Sequence, residues 1–338
     1  MNILAVGDLH FGSLVRINED KWLKYTKNLL NQIFSYATEK GIKDIFYVGD
    51  IFNVDAPPQA LLLEFYKIFS KQKELTHHFY PGNHDIRDST NNSLMLFDTL
   101  QKNLPNMRFY CKPTVVALGD KKVGVLPWPH KNPEKTLPHL PKGSTIFGHF
   151  SVKNALSDNG YKLKEGYKIS NSYFWVIGDI HTYQKGDNYI YPGSLCVSTP
   201  SENPQKYFLE LKLKNRGEPK IIKHKLVMPY SLKSIIVKRG DSLDFLNEED
   251  SYWKVQYDPR IILPQSPHIY MAIPIAKKVN MEKSIVQETA KIYSLNMKQS
   301  LSKFLYRNGV GHKDQIWFLR RFNEIRTDEH KSPIKRTN

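Results

Sequence analysis

Cysteine is scarce in this chain. Two residues, Cys111 and Cys196, among 338 exclude a disulfide framework and point to a reducing compartment in which both thiols serve as small buried side chains. Also absent is any apolar run approaching the roughly 20 residues of a membrane span, so the sequence predicts a soluble protein with no membrane partner. Acidic residues are outnumbered, 33 Asp and Glu standing against 49 Lys and Arg for a formal net charge of +16. That surplus favours polyanionic partners through field steering and counterion release, although charge alone does not name one. Met1–Val6 is apolar but has no basic segment before it and stops at Gly7-Asp8. It reads as a strand rather than a signal peptide, which predicts a cytoplasmic protein. What is present is an ordinary globular composition, 40% hydrophobic and 12% aromatic, with length enough for one large domain and a smaller one.

The periodicity predicts a strand over 3–6, then a helix within 19–40 carried by Trp22, Leu23, Leu29, Leu30, Ile33 and Phe34 and closed by Gly41. A second strand follows at 42–48. Pro57-Pro58 opens a helix over 59–70, and a third strand covers 77–80. That order argues for α/β layers with parallel crossovers. From about 107 short β-rich runs take over, at 108–110, 114–118, 122–126, 145–147, 174–177, 189–191 and 207–213, as in a mixed sheet joined by turns. The motif-bearing part is assigned to 1–228. A segment 229–278 reads as strands around a short acidic helix, 279–325 as helices, and 326–338 as a basic flexible tail.

Five short clusters sit where a predicted strand gives way to a loop, which is where open α/β sheets gather ligand-binding groups. Gly7-Asp8-Leu9-His10 places two donors two residues apart, so that on extended backbone both point the same way and can grip one ion. Gly49-Asp50 offers a carboxylate able to bridge two metals. Gly82-Asn83-His84-Asp85 supplies a neutral carbonyl oxygen from Asn83 and leaves His84 free to act on substrate. Gly148-His149 and Gly178-Asp179-Ile180-His181 complete the set. A single D-x-H tripeptide arises by chance. Five such clusters in order are not explained as satisfied core polar groups, since buried Asp and His need partners and these would need them together.

The order D-x-H, G-D, G-N-H-D, G-H, G-x-x-H resembles the calcineurin-like metallophosphoesterase superfamily, and within it the SbcD-type nuclease subunits of recombination and repair complexes. Gly49-Asp50-Ile51-Phe52 followed by Pro57-Pro58 is similar to that group's second motif. Tyr191-Pro192-Gly193-Ser194, followed by Ser201-Glu202, is similar to its Y-x-G-S segment. The resemblance implies a four-layer α/β sandwich of two mixed sheets flanked by helices, a nuclease domain over 1–228, a capping domain over 229–278, and C-terminal helices that dock on an SbcC-type ABC ATPase. It implies two divalent ions, Mn²⁺ with Mg²⁺ as the alternative, with Asp8, His10 and His181 on one, Asn83, His149 and Asp179 on the other, and Asp50 bridging. His84 would stabilise the transition state, with Asp85 orienting its ring. The implied activity is DNA phosphodiester hydrolysis, exonucleolytic or endonucleolytic, and a homodimer is compatible with the pattern.

Asp179 departs from the pattern, since relatives carry His there. A carboxylate keeps an oxygen ligand and favours harder ions. Asn53 also departs, standing where relatives carry Asp or His. Two rival functions remain at this stage: a nucleotide phosphodiesterase or protein phosphatase of the same superfamily, and a non-catalytic DNA-binding scaffold. His77-His78 and Trp128 are read as packing, and Lys162, Lys164 and Lys168 as a solvated loop.

Overall fold

β1 (Asn2–Val6) alternates Ile3 and Ala5 to one face and Leu4 and Val6 to the other, all four fully buried. A strand buried on both faces must lie between two packed layers. The computed structural model of this chain describes residues 1–88, 91–128 and 140–275. The helices expected over 279–325 and the tail over 326–338 lie outside the described residues.

After β1 the chain forms α1 (Trp22–Glu39), β2 (Asp44–Tyr47), α2 (Gln59–Ser70), β3 (Thr76–Phe79), α3 (Met95–Leu100) and β4 (Met107–Phe109). The apolar stripe Tyr25, Leu29, Leu30, Ile33, Phe34 and Ala37 buries one face of α1 against the first sheet. The helix stops where the Ile42 N–H returns to the Ala37 carbonyl (2.8 Å) and the Gly41 N–H to Thr38 (3.2 Å), a closure that satisfies its last carbonyls. β1, β2, β3 and β4 pair in parallel, in sequence order, as the strand–helix alternation predicts.

Next come β5 (Thr114–Leu118), β6 (Lys121–Leu126), β7 (Thr145–His149), β8 (Phe174–Gly178), β9 (Gln184–Lys185), β10 (Tyr189–Tyr191), β11 (Tyr207–Lys212) and β12 (Lys220–Lys225). β11 and β12 return to the first sheet, giving the order β12-β11-β1-β2-β3-β4, while the second sheet runs β5-β6-β7-β8-β10-β9. Between the sheets lie Phe46, Val48, Val125, Phe147, Val176 and Leu209. Phe46 stacks on Phe147 across the interface (4.2 Å) and on His78 along its own sheet (4.1 Å).

The two mixed sheets agree with the expected sandwich, but the fourth layer differs. Among the described residues the outer face of the second sheet carries no helix. Trp175, Ile177 and Tyr191 are covered by Phe150, Val152 and Ala155 and by partly buried Leu163, Tyr167 and Ile169 of the loop after β7. That loop can do a helix's work because it folds back on itself, with Lys153 N–H to Tyr167 O and Leu163 N–H to Ala155 O. Lys162, Lys164 and Lys168 are exposed on it.

β13 (Ser231–Val237), β14 (Ser251–Tyr257) and β15 (Ile269–Pro274) make a separate three-stranded parallel sheet, with a 3₁₀ turn at Asp244–Asn247 where the acidic helix was expected. Val237, Trp253 and Val255 give it a small core of its own. It is tied to α1 by the Tyr25 hydroxyl, which reaches Asp250 (2.5 Å) and Tyr252 (2.6 Å), and by the Lys21–Asp250 pair (2.8 Å). Met1–Ile275 forms one compact unit. Among the described residues α3, β9 and β12 escaped the sequence reading: α3 and β9 are too short to show a period, and β12 is a largely exposed edge strand of mixed polarity.

Candidate metal centre

The loops after β1, β2, β3, β7 and β8 meet at the carboxyl ends of their strands, along the seam between the two sheets. Four of their residues take left-handed backbone without being glycine: Asn154 (φ 69°) out on the loop after β7 and, at the seam itself, His10 (φ 41°), Asp50 (φ 44°) and Asp179 (φ 102°). Each such residue costs on the order of 1–3 kcal/mol and persists only where its surroundings over-determine it. Close approach does this here. A Cβ on Gly178 would collide with the Val48 carbonyl and the Asp8 carboxylate, and one on Gly49, itself at φ 83°, with the His149 ring. These glycines let the two sheets' loops touch.

Two groups of side chains bring ligand atoms within 4.8 Å of one another: Asp8, His10 and His181, and Asp8, Asp50 and His149. The first matches the trio expected on one ion. In the second, Asp8 takes part again, so the carboxylate common to both groups is Asp8, while Asp50, the expected bridge, belongs to the second group alone. His10 Nε2 lies 3.1 Å from His181 Nε2 and 3.7 Å from Asp50 Oδ2, and His149 Nε2 lies 3.4 Å from Asp50 Oδ2. Asn83 joins this second side, with its Oδ1 2.8 Å from His149 Nε2.

Asp179 sits differently from the expectation. Its side chain accepts the Ser151 hydroxyl, and its backbone N–H donates to the Asp8 carboxylate at 3.0 and 3.3 Å. Ser151 lies just beyond the β7 end that pairs with β8, where His149 is opposite Gly178, so a hydroxyl is at hand to claim the carboxylate. Among the described residues Asp179 is in neither group.

Asp85, expected beside the His84 ring, is fully buried and accepts from Ile51 N–H (2.8 Å), Phe52 N–H (2.9 Å), Gly82 N–H (2.9 Å) and Ser93 Oγ (2.7 Å). Four donors saturate the carboxylate, and His84 is not among them. His84 stays exposed, with its N–H on Asp50 Oδ1 (2.9 Å) and its ring edge-on to His10 at 5.1 Å.

The charge balance is that of a site needing a cation. Burial pushes the Asp8 carboxyl up to about 7, against the pull of His149 and His181. Burial also works to raise Asp50, yet His149 and His10 hold it well below the usual carboxylate range. Burial alone would discharge His149, but the charges of Asp50, Asp8 and Asp179 outweigh it and carry the ring up to about 10. His10 is driven down to about 3, chiefly by burial. The hydrogen bonds agree. His149 Nδ1 lies 2.8 Å from the Val48 carbonyl and donates to it, which leaves Nε2 facing Asn83 Oδ1 and Asp50 Oδ2, two acceptors. Acceptors converging on a lone pair require a proton or a cation, and a divalent ion inverts such local pKa logic. The donors are oxygen and imidazole nitrogen with no thiolate, a set able to hold divalent cations. The residues present therefore fit a metal centre.

Further residues brace the site, Asp158 unannounced by any motif and Glu202 from the stretch that follows the Y-x-G-S segment. Asp158 Oδ2 and Glu202 Oε1 both lie 4.0 Å from His181 Nδ1. The Tyr191-Pro192-Gly193-Ser194 segment is buried, not presented to substrate. The Tyr191 hydroxyl donates to Phe150 O (2.9 Å) and accepts Val152 N–H (2.8 Å), while Ser194 N–H reaches His181 O (3.0 Å) and Leu195 N–H reaches Asp8 O (2.9 Å). It splices the loops carrying Asp8, His149 and His181. His77 and His78 are packing residues, as expected, bonded to Tyr47 (3.1 Å) and to Asp44 (2.9 Å) and Tyr110 (2.8 Å). Trp128 packs partly buried against the outer core of the second sheet.

A family model for calcineurin-like phosphoesterases matches residues 1–170, a stretch that holds Asp8, His10, Asp50, Asn83, His84, Asp85 and His149. Exonuclease subunit 1 of Enterobacteria phage T4 is 26% identical over 212 residues, which cover 60% of this chain and 61% of that protein. The chain thus spans less than two thirds of that relative's length. Solved structures resembling the chain include an archaeal phosphodiesterase (13% identity, 67% of this chain and 100% of that one, TM-score 0.36) and TT1561 of Thermus thermophilus (16%, 66% and 98%, TM-score 0.41). The family match covers half of the sequence and holds five of the seven expected donors, Asp8, His10, Asp50, Asn83 and His149, so the chain belongs to the calcineurin-like phosphoesterase family and is a metal-dependent hydrolase of phosphate esters.

Proposed function

We propose that this chain is the nuclease subunit of an SbcC/SbcD-type complex and hydrolyses DNA phosphodiester bonds with two Mn²⁺ ions, Mg²⁺ being the alternative. The observation that carries the chemistry is the meeting of Asp8, His10, Asp50, Asn83, His149 and His181 at one seam. Asp8, His10 and His181 would hold one ion, Asp50, His149 and Asn83 the other, with Asp8 and Asp50 between them. Asp179 is assigned to holding Asp8 through its N–H, with its carboxylate within reach as a further oxygen donor. When bound, the ions would supply Lewis acidity at phosphorus and lower the pKa of water. The protein's own part is positional. Asp85 fixes the loops of Asp50 and Asn83 to each other, and the exposed His84 imidazole is left free to donate to the departing or developing oxygen.

DNA as substrate is supported by the net charge of +16 and by the relative named exonuclease subunit 1. That relative's name also supports a partner, here proposed as an SbcC-type ATPase. No helix among the described residues is long and apolar enough to cross a membrane, and two free thiols suit the cytoplasm. Purified protein with Mn²⁺ is expected to degrade linear DNA. Good turnover of a small phosphodiester with single- and double-stranded DNA left intact would instead favour a nucleotide phosphodiesterase or protein phosphatase. DNA binding unaffected by Asp8→Ala, with no cleavage by either form, would favour a scaffold.

A second copy of the chain is the proposed partner for the face between α2 and α3. There Leu63, Tyr66, Leu96 and Leu100 stand 41–52% exposed around a cavity of about 480 Å³. Leu63→Glu with Leu96→Glu is expected to convert dimer to monomer in sedimentation while leaving the melting temperature in place. An unchanged sedimentation coefficient would remove this face as the dimer contact.

A further inference from the structure

A lysine with 2% of its side chain exposed is rare unless it is fully engaged. Lys206 donates to Glu202 Oε2 (2.9 Å), to Ser194 Oγ (2.7 Å) and to the His181 carbonyl (3.2 Å). Glu202, 7% exposed at its side chain, spends its other oxygen on Ser198 N–H (3.2 Å) and Ser198 Oγ (2.5 Å), and that same Oε1 faces His181 Nδ1 at 4.0 Å. The pair therefore grips His181 twice, once by its backbone carbonyl through Lys206 and once by its ring through the charge of Glu202. His181 Nε2, on the opposite side of the ring, points to Asp8 Oδ2 (3.7 Å) and His10 Nε2 (3.1 Å).

We infer that Glu202, anchored by Lys206, is a positioning residue for His181: it selects the imidazole tautomer with the proton on Nδ1 and the lone pair on Nε2, ready for a metal ion. The inference rests on the metal site proposed above. A carboxylate 4.0 Å away is too far for a hydrogen bond, but its charge attracts an N–H dipole and repels a lone pair, so it biases the tautomer. Outer carboxylates of this kind fix ring orientation and raise ligand basicity. Asp158 stands at the same distance from Nδ1. It lies on the loop after β7, about a third exposed, with its Oδ1 taken by the Thr182 N–H (2.8 Å). Glu202 has the buried, charge-paired support that Asp158 lacks.

The test is made on the full-length protein by Mn²⁺ titration calorimetry and, in the metal-free state, by long-range ¹H–¹⁵N spectra of labelled histidines. Glu202→Gln is expected to weaken Mn²⁺ binding by about 10–100-fold and to shift His181 from the Nδ1–H form toward a mixture of tautomers. Glu202→Asp, which keeps the charge, should restore part of both signals. Asp158→Asn should change each less than Glu202→Gln does, and His181→Ala marks the full loss of the ligand. If Glu202→Gln does not fold because Lys206 is left unpaired, the double variant Glu202→Gln with Lys206→Met removes both charges and gives the same two readouts. An unchanged tautomer and unchanged Mn²⁺ affinity in folded Glu202→Gln overturns the inference while leaving the metal site standing, as does an equal or larger effect from Asp158→Asn. Failure of the wild type to bind Mn²⁺ at all is a different result: it removes the metal site itself.

Discussion

Replacing His84 by alanine should lower turnover of a phosphodiester by about 10²–10⁴-fold, the range a positioned acid or base contributes, and leave Mn²⁺ affinity nearly intact. The separation follows from where the residue's parts go. The backbone N–H is what holds Asp50 (2.9 Å), and alanine keeps it. The ring belongs to neither ligand group, is exposed, and meets His10 only edge-on at 5.1 Å. A ring in that place can touch a substrate without having served a metal. The loss should therefore appear in kcat, with KM for a small diester little changed. Turnover within about tenfold of wild type would remove His84 from the chemistry.

Asp85→Ala should act on stability first. Its carboxylate is the shared acceptor for three backbone N–H groups and the Ser93 hydroxyl, all in a region closed to solvent. Each buried donor left without a partner costs about 1–3 kcal/mol, so with four donors a loss of about 4 kcal/mol or more in denaturant unfolding is expected, a large share of the total stability of an ordinary domain. The loop of Asp50 and the loop of Asn83 and His84 are tied together by this one side chain, so cleavage should fall with stability. Asp85→Asn, which keeps one accepting oxygen, should be intermediate. If Asp85 instead served mainly to orient the His84 ring, turnover would drop while the unfolding midpoint stayed put. The partners of Asp85 favour the first outcome.

These two residues also mark how far sequence could reach. The D-x-H, G-D, G-N-H-D, G-H and G-x-x-H clusters were legible because the chemistry restricts residue type and the strands place those residues at their ends. Six of the seven expected donors do gather at the seam. What stayed hidden is where a neighbouring group turns. Nothing in Gly82-Asn83-His84-Asp85 indicates that Asp85 folds inward onto Ile51 and Phe52, 34 and 33 residues back, while His84 faces out. The departure at Asp179 was visible as a changed letter, but its backbone N–H rather than its carboxylate engages Asp8, and Ser151 takes the side chain. Tyr191-Pro192-Gly193-Ser194 was recognisable as a signature, and it is a buried splice between loops rather than a contact surface. Asp158 carried no signal, since its nearness to His181 depends on the fold of the 24-residue loop between β7 and β8. Glu202 did have one, as part of the Ser201-Glu202 pair that follows the Tyr191-Pro192-Gly193-Ser194 segment.

The fold follows the same division. Strands buried on both faces, such as β1 and β2, and the long amphipathic α1 were legible from period. The outer cover of the second sheet was not, because a loop holds it and loops leave no period.

The central claim is that Asp8, His10, Asp50, Asn83, His149 and His181 would together hold two divalent ions. Titration calorimetry of the metal-free protein with Mn²⁺, repeated on Asp50→Asn, tests it most directly. Two ions per chain are predicted for wild type, and loss of at least one in Asp50→Asn. A single weak site in wild type, or two sites undiminished by Asp50→Asn, would contradict it.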